Sequence, residues 1–224
     1  MGTEERKARE KQRRRNNILN AAEEVIFSKG LDQATMDEIA ERAELSKGTL
    51  YLYFKNKNEL YLAICEHGST ILNGRFAKVF TEDKPGVELI RLLGETYIDF
   101  VKNNPDYFNA FMFFESFENI EELESSCVAR SCQENARESL TYIVRALQIG
   151  MQDGSITSDF DPKDLALQIW GSTRGLIQLG FMKMKGLSFG VLDGFDLDVE
   201  KTFRNYMALV HRAIATEQKL ENTD

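Results

Sequence analysis

The chain has 224 residues, 42% hydrophobic and 29% charged, with only 3 Pro and 15 Gly. That excludes a collagenous, loop-rich or disordered protein and allows one large domain, or a small one beside a medium one. No apolar run reaches the roughly 18–20 residues of a membrane helix, and the basic N-terminus lacks the apolar stretch of a signal peptide. The net charge of −8, if spread evenly, argues against a nucleic-acid partner, because affinity for phosphate comes mainly from Lys and Arg.

The charge is not spread evenly. Up to Ile64 there are 12 Lys and Arg against 11 Asp and Glu; beyond it there are 16 against 25. Between Arg6 and Arg15 seven basic residues stand against the single acid Glu10. A basic arm on an otherwise acidic chain is a layout of nucleic-acid binders, although a solvated tail has the same composition. Cys65, Cys127 and Cys132 make an odd count, which is no disulfide framework and suggests a reducing cytoplasm. No metal-ligand spacing is expected at them, and no cofactor motif is present.

The elements read as helices throughout, so the predicted fold class is all-α. Ile18, Ala22, Val25 and Ile26 recur at helical spacing, and Gly30 is a stop. Thr35 to Glu38 reads as a capping box opening a short helix that ends near Ala43. Ser46 is the predicted N-cap of a second short helix through Tyr53, and Asn56 with Glu59 opens a longer one carrying Leu60 and Ile64. After Pro85, Val87, Ile90, Leu93, Tyr97 and Val101 form the next stripe, stopped by Asn103-Asn104-Pro105. Residues 107–117 are dense in aromatics. A long helix is predicted from about Leu123 to Gln152, broken at Asp153-Gly154-Ser155. Asp161-Pro162 opens another, and Val199, Phe203, Tyr206, Val210 and Ile214 mark the last.

The two short helices between Thr35 and Phe54 have helix-turn-helix spacing, with a turn at Ala43-Glu44-Leu45. In that motif the second helix enters the major groove and the first crosses the backbone. Ala40 permits close approach; Leu45 and Leu50 bury the turn and the inner face. Lys47, Gly48, Thr49 and Tyr51 fall at the exposed start of the second helix, where free amides and the dipole favour phosphate. Thr49 offers base edges a hydroxyl and a methyl, and Gly48 lets the backbone come close.

Here the sequence resembles the TetR family of transcriptional regulators. The resemblance is carried by Ala21-Ala22, Phe27, Gly30, Thr35, Ile39-Ala40, Ala43, Ser46-Lys47-Gly48-Thr49-Leu50-Tyr51, Tyr53-Phe54 and Asn56-Lys57-Asn58-Glu59-Leu60. Beyond residue 62 only Asp153-Gly154-Ser155-Ile156, Asp159 and Asp161-Pro162 look family-like. The resemblance implies an all-helical homodimer. It divides the chain into a basic arm (1–14), a DNA-binding domain (15–62) and a ligand-binding and dimerisation domain (63–224). Lys47, Gly48, Thr49 and Tyr51 would face the major groove, with Ser46 beside them; Thr35, Tyr53 and Lys57 would hold phosphates. The family's turn usually has Gly where this chain has Glu44, and a left-handed non-Gly residue there costs roughly 1 kcal/mol.

In the second domain the last two helices would form an intersubunit four-helix bundle, matching a palindromic operator. Phe108, Phe111, Phe114 and Phe117, with Trp170, Arg174 and Phe181, are candidates to line a pocket for a small lipophilic effector, although core packing explains each one singly. Glu115 and Glu118 suit a cationic ligand; Arg130, Arg137 and Arg174 suit a carboxylate or acyl thioester. The function expected is a ligand-responsive repressor released from operator DNA. The alternatives are a ligand-independent DNA-binding protein or a helical enzyme. The last is disfavoured because only His67 and His211 offer imidazole and no Gly-rich phosphate loop follows a strand.

Overall fold

A computed structural model describes residues 2–115, 126–184, 186, 190 and 192–216. Among them are helices α1 (Thr3–Lys29), α2 (Met36–Arg42), α3 (Lys47–Tyr51), α4 (Lys57–Val79), α5 (Gly86–Asn103), α6 (Pro105–Glu115), α7 (Cys127–Asp153), α8 (Pro162–Met184) and α9 (Val199–Ile214). The all-α expectation holds. One isolated antiparallel bridge, Ile156 to Ala215, is the extended pairing found among these residues. No helix there is long and apolar enough to cross a membrane. Leu123, the predicted start of the long helix, lies outside the described residues, as do Phe117 and Glu118.

The predicted boundaries have local causes. Gly30 ends α1 at φ 85°. Pro105 opens α6, where its missing N–H costs nothing. Asn56 Oδ1 accepts from Glu59 N at 2.8 Å, and Asp161 Oδ1 accepts from Lys163 N at 2.8 Å. Residues 3–14, expected as an arm, continue α1 as regular helix.

The chain forms two compact units. The first comprises Met1–Ile71 with Asn104–Asn135, so α6 belongs with the N-terminal helices. Its core is built from Ile18, Ala22, Ile39, Leu50, Phe54, Leu60, Ile64 and Phe108, each nearly inaccessible. Tyr107 fixes α6 in this unit. Its hydroxyl donates to Glu23 Oε1 at 2.9 Å, and His67 Nδ1 stands 2.7 Å from the same oxygen. The Tyr107 ring meets Phe27 edge-on at 5.4 Å and covers Gly68, where a Cβ would lie 2.6 Å from it. Burial, then the Glu23 carboxylate, pushes the Tyr107 phenol well above its ordinary pKa, so it stays a donor.

The second unit comprises Leu72–Asn103 with Ala136–Asp224. Its organising corner is the stretch 153–157. Asp153 Oδ2 accepts from Gly86 N at 2.8 Å, and Ser155 Oγ accepts from Val87 N at 3.2 Å; together they cap α5. Gly154 takes φ 79°, which lets the chain reverse. Ile156 is buried, and Thr157 N donates to Ile214 O at 2.8 Å, tying down the end of α9. α5 and α7 pack with no side chain between them at Gly86. A Cβ there would meet Ala146 O at 2.5 Å and the backbone of Gly150 closer still. Buried Asn73 joins α4 to α7: it donates to Glu138 Oε2 at 3.1 Å and accepts from Ser139 Oγ at 2.5 Å.

Candidate nucleic-acid interface

Helix α3 is short, and α2 and α3 both start on hydroxyl caps. Thr35 Oγ1 accepts from Glu38 N at 3.2 Å, while Glu38 Oε2 accepts from Thr35 N at 3.1 Å, completing the capping box that opens α2. A hydrogen bond from Lys29, then those from Thr35, hold the Glu38 carboxyl below its ordinary pKa. The box therefore stays formed into mildly acid solution and is lost only as pH falls through that lowered value. Ser46 Oγ accepts from Thr49 N at 3.2 Å and shares a hydrogen bond with Thr49 Oγ1 at 2.8 Å.

Between the helices, Leu45 N donates to Ala40 O at 2.9 Å, and Leu50 and Phe54 are buried. The turn bends through Glu44 at φ 55°, the left-handed conformation anticipated at this position. Among the described residues it is the sole non-glycine with positive φ. A Glu44→Gly variant is expected to gain about 0.5–1 kcal/mol and melt about 2 °C higher by calorimetry. An unchanged or lower melting point would mean that the turn carries no strain.

The expected interface residues occupy different environments. Lys47, Gly48 and Tyr51 are exposed and Thr49 is half-exposed. A Cβ on Gly48 would meet nothing within 4 Å, so this part of α3 faces open space. Lys47 Nζ lies 2.6 Å from Asp37 Oδ1, and that carboxylate raises the Lys47 pKa. Thr35 is exposed with its hydroxyl engaged in the capping box. Tyr53 is half-buried. Lys57 stands at the start of α4, its ammonium donating to Asp32 O and Ala34 O at 3.1 Å each, which leaves one donor for a phosphate.

Two neighbours had no counterpart in the sequence reading. Asp37 was legible only as a helix-start acid; its partner Lys47 is ten residues away across the turn. Leu52, directly after α3, is 81% exposed, an apolar side chain beside Tyr51 with no packing role in this chain.

The candidate pocket residues fall in both units. Phe108 and Phe111 are buried and Phe114 half-buried in the first. Trp170, Arg174 and Phe181 are half-buried in the second, where the Arg174 guanidinium lies 5.0 Å over the Trp170 ring. An open groove of about 730 Å³ on the second unit, between α5 and α9, is lined by Arg91, Glu95, Lys102, Glu200, Phe203 and Met207, and by none of these candidates.

The sequence model described as bacterial regulatory proteins, tetR family, matches residues 18–64, the stretch that builds the capped helix pair. Over these residues the chain carries the TetR-family DNA-binding region. An uncharacterised helix-turn-helix regulator of Haemophilus influenzae is 30% identical over 106 residues, covering 47% of this chain and 57% of that protein. The transcriptional activator FasR of Mycolicibacterium smegmatis is 40% identical over 93 residues, covering 41% of this chain and 42% of that protein. The chain thus spans about half the length of these relatives. Among solved structures, the regulator FadR of Bacillus subtilis in complex with stearoyl-CoA superposes with a TM-score of 0.64 at 21% identity, over 87% of this chain and 96% of that one. The chain therefore shares its fold with FadR well beyond the TetR-family stretch of residues 18–64.

Proposed function

We propose that this TetR-family chain is a ligand-responsive, sequence-specific DNA-binding regulator of transcription that works in the cytoplasm. The observation that carries the reading is the division of labour in α3. Its inner face, Leu50, is buried, while Lys47, Gly48 and Tyr51 are exposed. A five-residue helix held by a cap and set outward suits insertion into a major groove. Thr49 joins them at the groove, and Thr35, Ser46, Tyr53 and Lys57 then fix backbone register around it.

A homodimer through α8 and α9 fits the exposed Leu167, Leu179 and Leu209 on those helices, which a partner copy would cover. Two-fold symmetry then calls for an inverted-repeat operator. In this reading the effector-free dimer sits on the operator and represses, and a small lipophilic molecule in the C-terminal part releases it. The stearoyl-CoA bound by FadR supports an acyl thioester as effector class. Release requires only that the ligand bind the two conformers with different affinity. The test is selection of duplexes from a random pool by the full chain. Enrichment of an inverted repeat, reversed by long-chain acyl-CoA, is the expected result; no enrichment would end the reading.

Asp37 gives a sharper expectation. In the free protein its carboxylate competes with phosphate for the Lys47 ammonium. Asp37→Asn removes that competitor and one negative charge from the face. Affinity for the selected duplex is expected to rise about three- to tenfold at low salt, measured by fluorescence anisotropy, and the gain should shrink as salt screens it. An unchanged affinity would mean that Lys47 stays with Asp37 on DNA.

A further inference from the structure

We propose that the N-terminal half of α1 is a second, sequence-indifferent phosphate-binding element that lies along duplex DNA. The proposal rests on the DNA-binding reading above and adds to it a contact outside the helix pair. Between Gly2 and Asn17 no described side chain is buried; the first buried residue is Ile18. About 22 Å of regular helix therefore stands beyond the core of the first unit. Most of a globular protein's helices are held by an apolar face, and a helix polar all round needs another partner.

The charge names that partner. Seven cations in the ten residues from Arg6 to Arg15 place one charge per roughly 2 Å of helix axis, close to the one per roughly 1.7 Å that duplex DNA presents. Lys7 pairs with Glu4, Arg14 with Glu10 and Arg15 with Glu66. Arg6, Arg9, Lys11 and Arg13 have no ion pair among the described residues. Arg6, Arg9 and Arg13 are spaced by three and four, so they share one face over about 10 Å. That length passes about three phosphates of one strand.

Other occupants fit poorly. A membrane surface needs Leu, Phe or Trp opposite the cations, and a protein partner needs an apolar centre to its patch. From residue 2 to 17 the apolar supply is Gly2 and Ala8. The element is also rigidly joined to the reading head. α1 is unbroken through residue 29, and Arg15, at the root of the projecting segment, reaches Glu66 at 3.1 Å and lies 5.3 Å over the ring of Phe54, just after α3. A preformed helix gives up less entropy on binding than a loose tail.

The test compares the full chain with an Arg6→Gln, Arg9→Gln, Arg13→Gln variant, which keeps helix propensity. Two probes are used: a mixed-sequence duplex of about three helical turns and the duplex selected by the wild-type chain. The slope of log affinity against log salt is expected to shrink by about 2–3 per bound protomer, and low-salt affinity to fall at least about tenfold on both probes alike. An unchanged slope with selective binding intact would overturn the arm proposal and leave the regulator reading standing. A wild-type chain that selects no sequence and shows no salt-dependent binding would overturn both. Loss confined to the selected duplex would also overturn the proposal, because it would make the arm a base reader.

Discussion

A chain carrying Lys47→Ala and Tyr51→Ala is expected to lose at least about a hundredfold in affinity for its selected duplex while melting within about 1 °C of wild type. Each good polar contact to a base or phosphate contributes about 1–3 kcal/mol, and a dimer would lose the pair at both half-sites. Stability should barely move, because both side chains point to solvent and surface changes usually stay within about 0.5 kcal/mol. Anisotropy on the selected duplex and calorimetry on the same preparation decide it. Undiminished affinity would remove α3 from the interface; a large fall in melting point would make Tyr51 a packing residue.

A second variant, Gly86→Ala, should do the reverse. The added methyl would point at Ala146 O and the backbone of Gly150, and no side-chain rotation can move those atoms. Overpacking commonly costs about 1–3 kcal/mol, and a backbone clash lies at the upper end of that range. A fall in melting temperature of about 6–12 °C is expected by calorimetry. The helix pair lies in the other unit, so the fraction that remains folded should bind its duplex as before. A change below about 1 °C would show that α5 and α7 are not held this close.

Local chemistry made much of this legible from sequence. The Thr35 capping box, the Ser46, Asn56 and Asp161 caps, the Gly30 stop and the left-handed Glu44 all depend on residues within four positions of one another. Such contacts leave a spacing that can be read. The family-like Asp153-Gly154-Ser155-Ile156 was visible as a stretch, but its work was not, since its partners Gly86, Val87 and Ala215 are 59 or more positions away. The Glu23, His67 and Tyr107 cluster was hidden for the same reason, with separations of 40 to 84 residues. The helical start of α1 was missed because a segment polar on every face has no apolar period to detect. Lys57 was expected to hold phosphate, and nothing local announced that its ammonium also closes on the carbonyls of Asp32 and Ala34.

Neighbouring residues of the helix pair answer to different demands, and this bears on how such a protein can diversify. Thr35 and Ser46 spend their hydroxyls on holding α2 and α3 in shape, so drift at those positions costs about 1 kcal/mol each before any partner is met. Gly48 borders empty space, and Tyr51 is exposed. Changes there are nearly free for folding, and Gly48 replaced by a stronger helix former would even firm up α3. Under the proposed DNA-reading role, duplicated copies of this gene would explore new target sequences at positions 48 and 51 without first acquiring compensating mutations, and a library randomised at those two positions is the natural starting point for redirecting the protein.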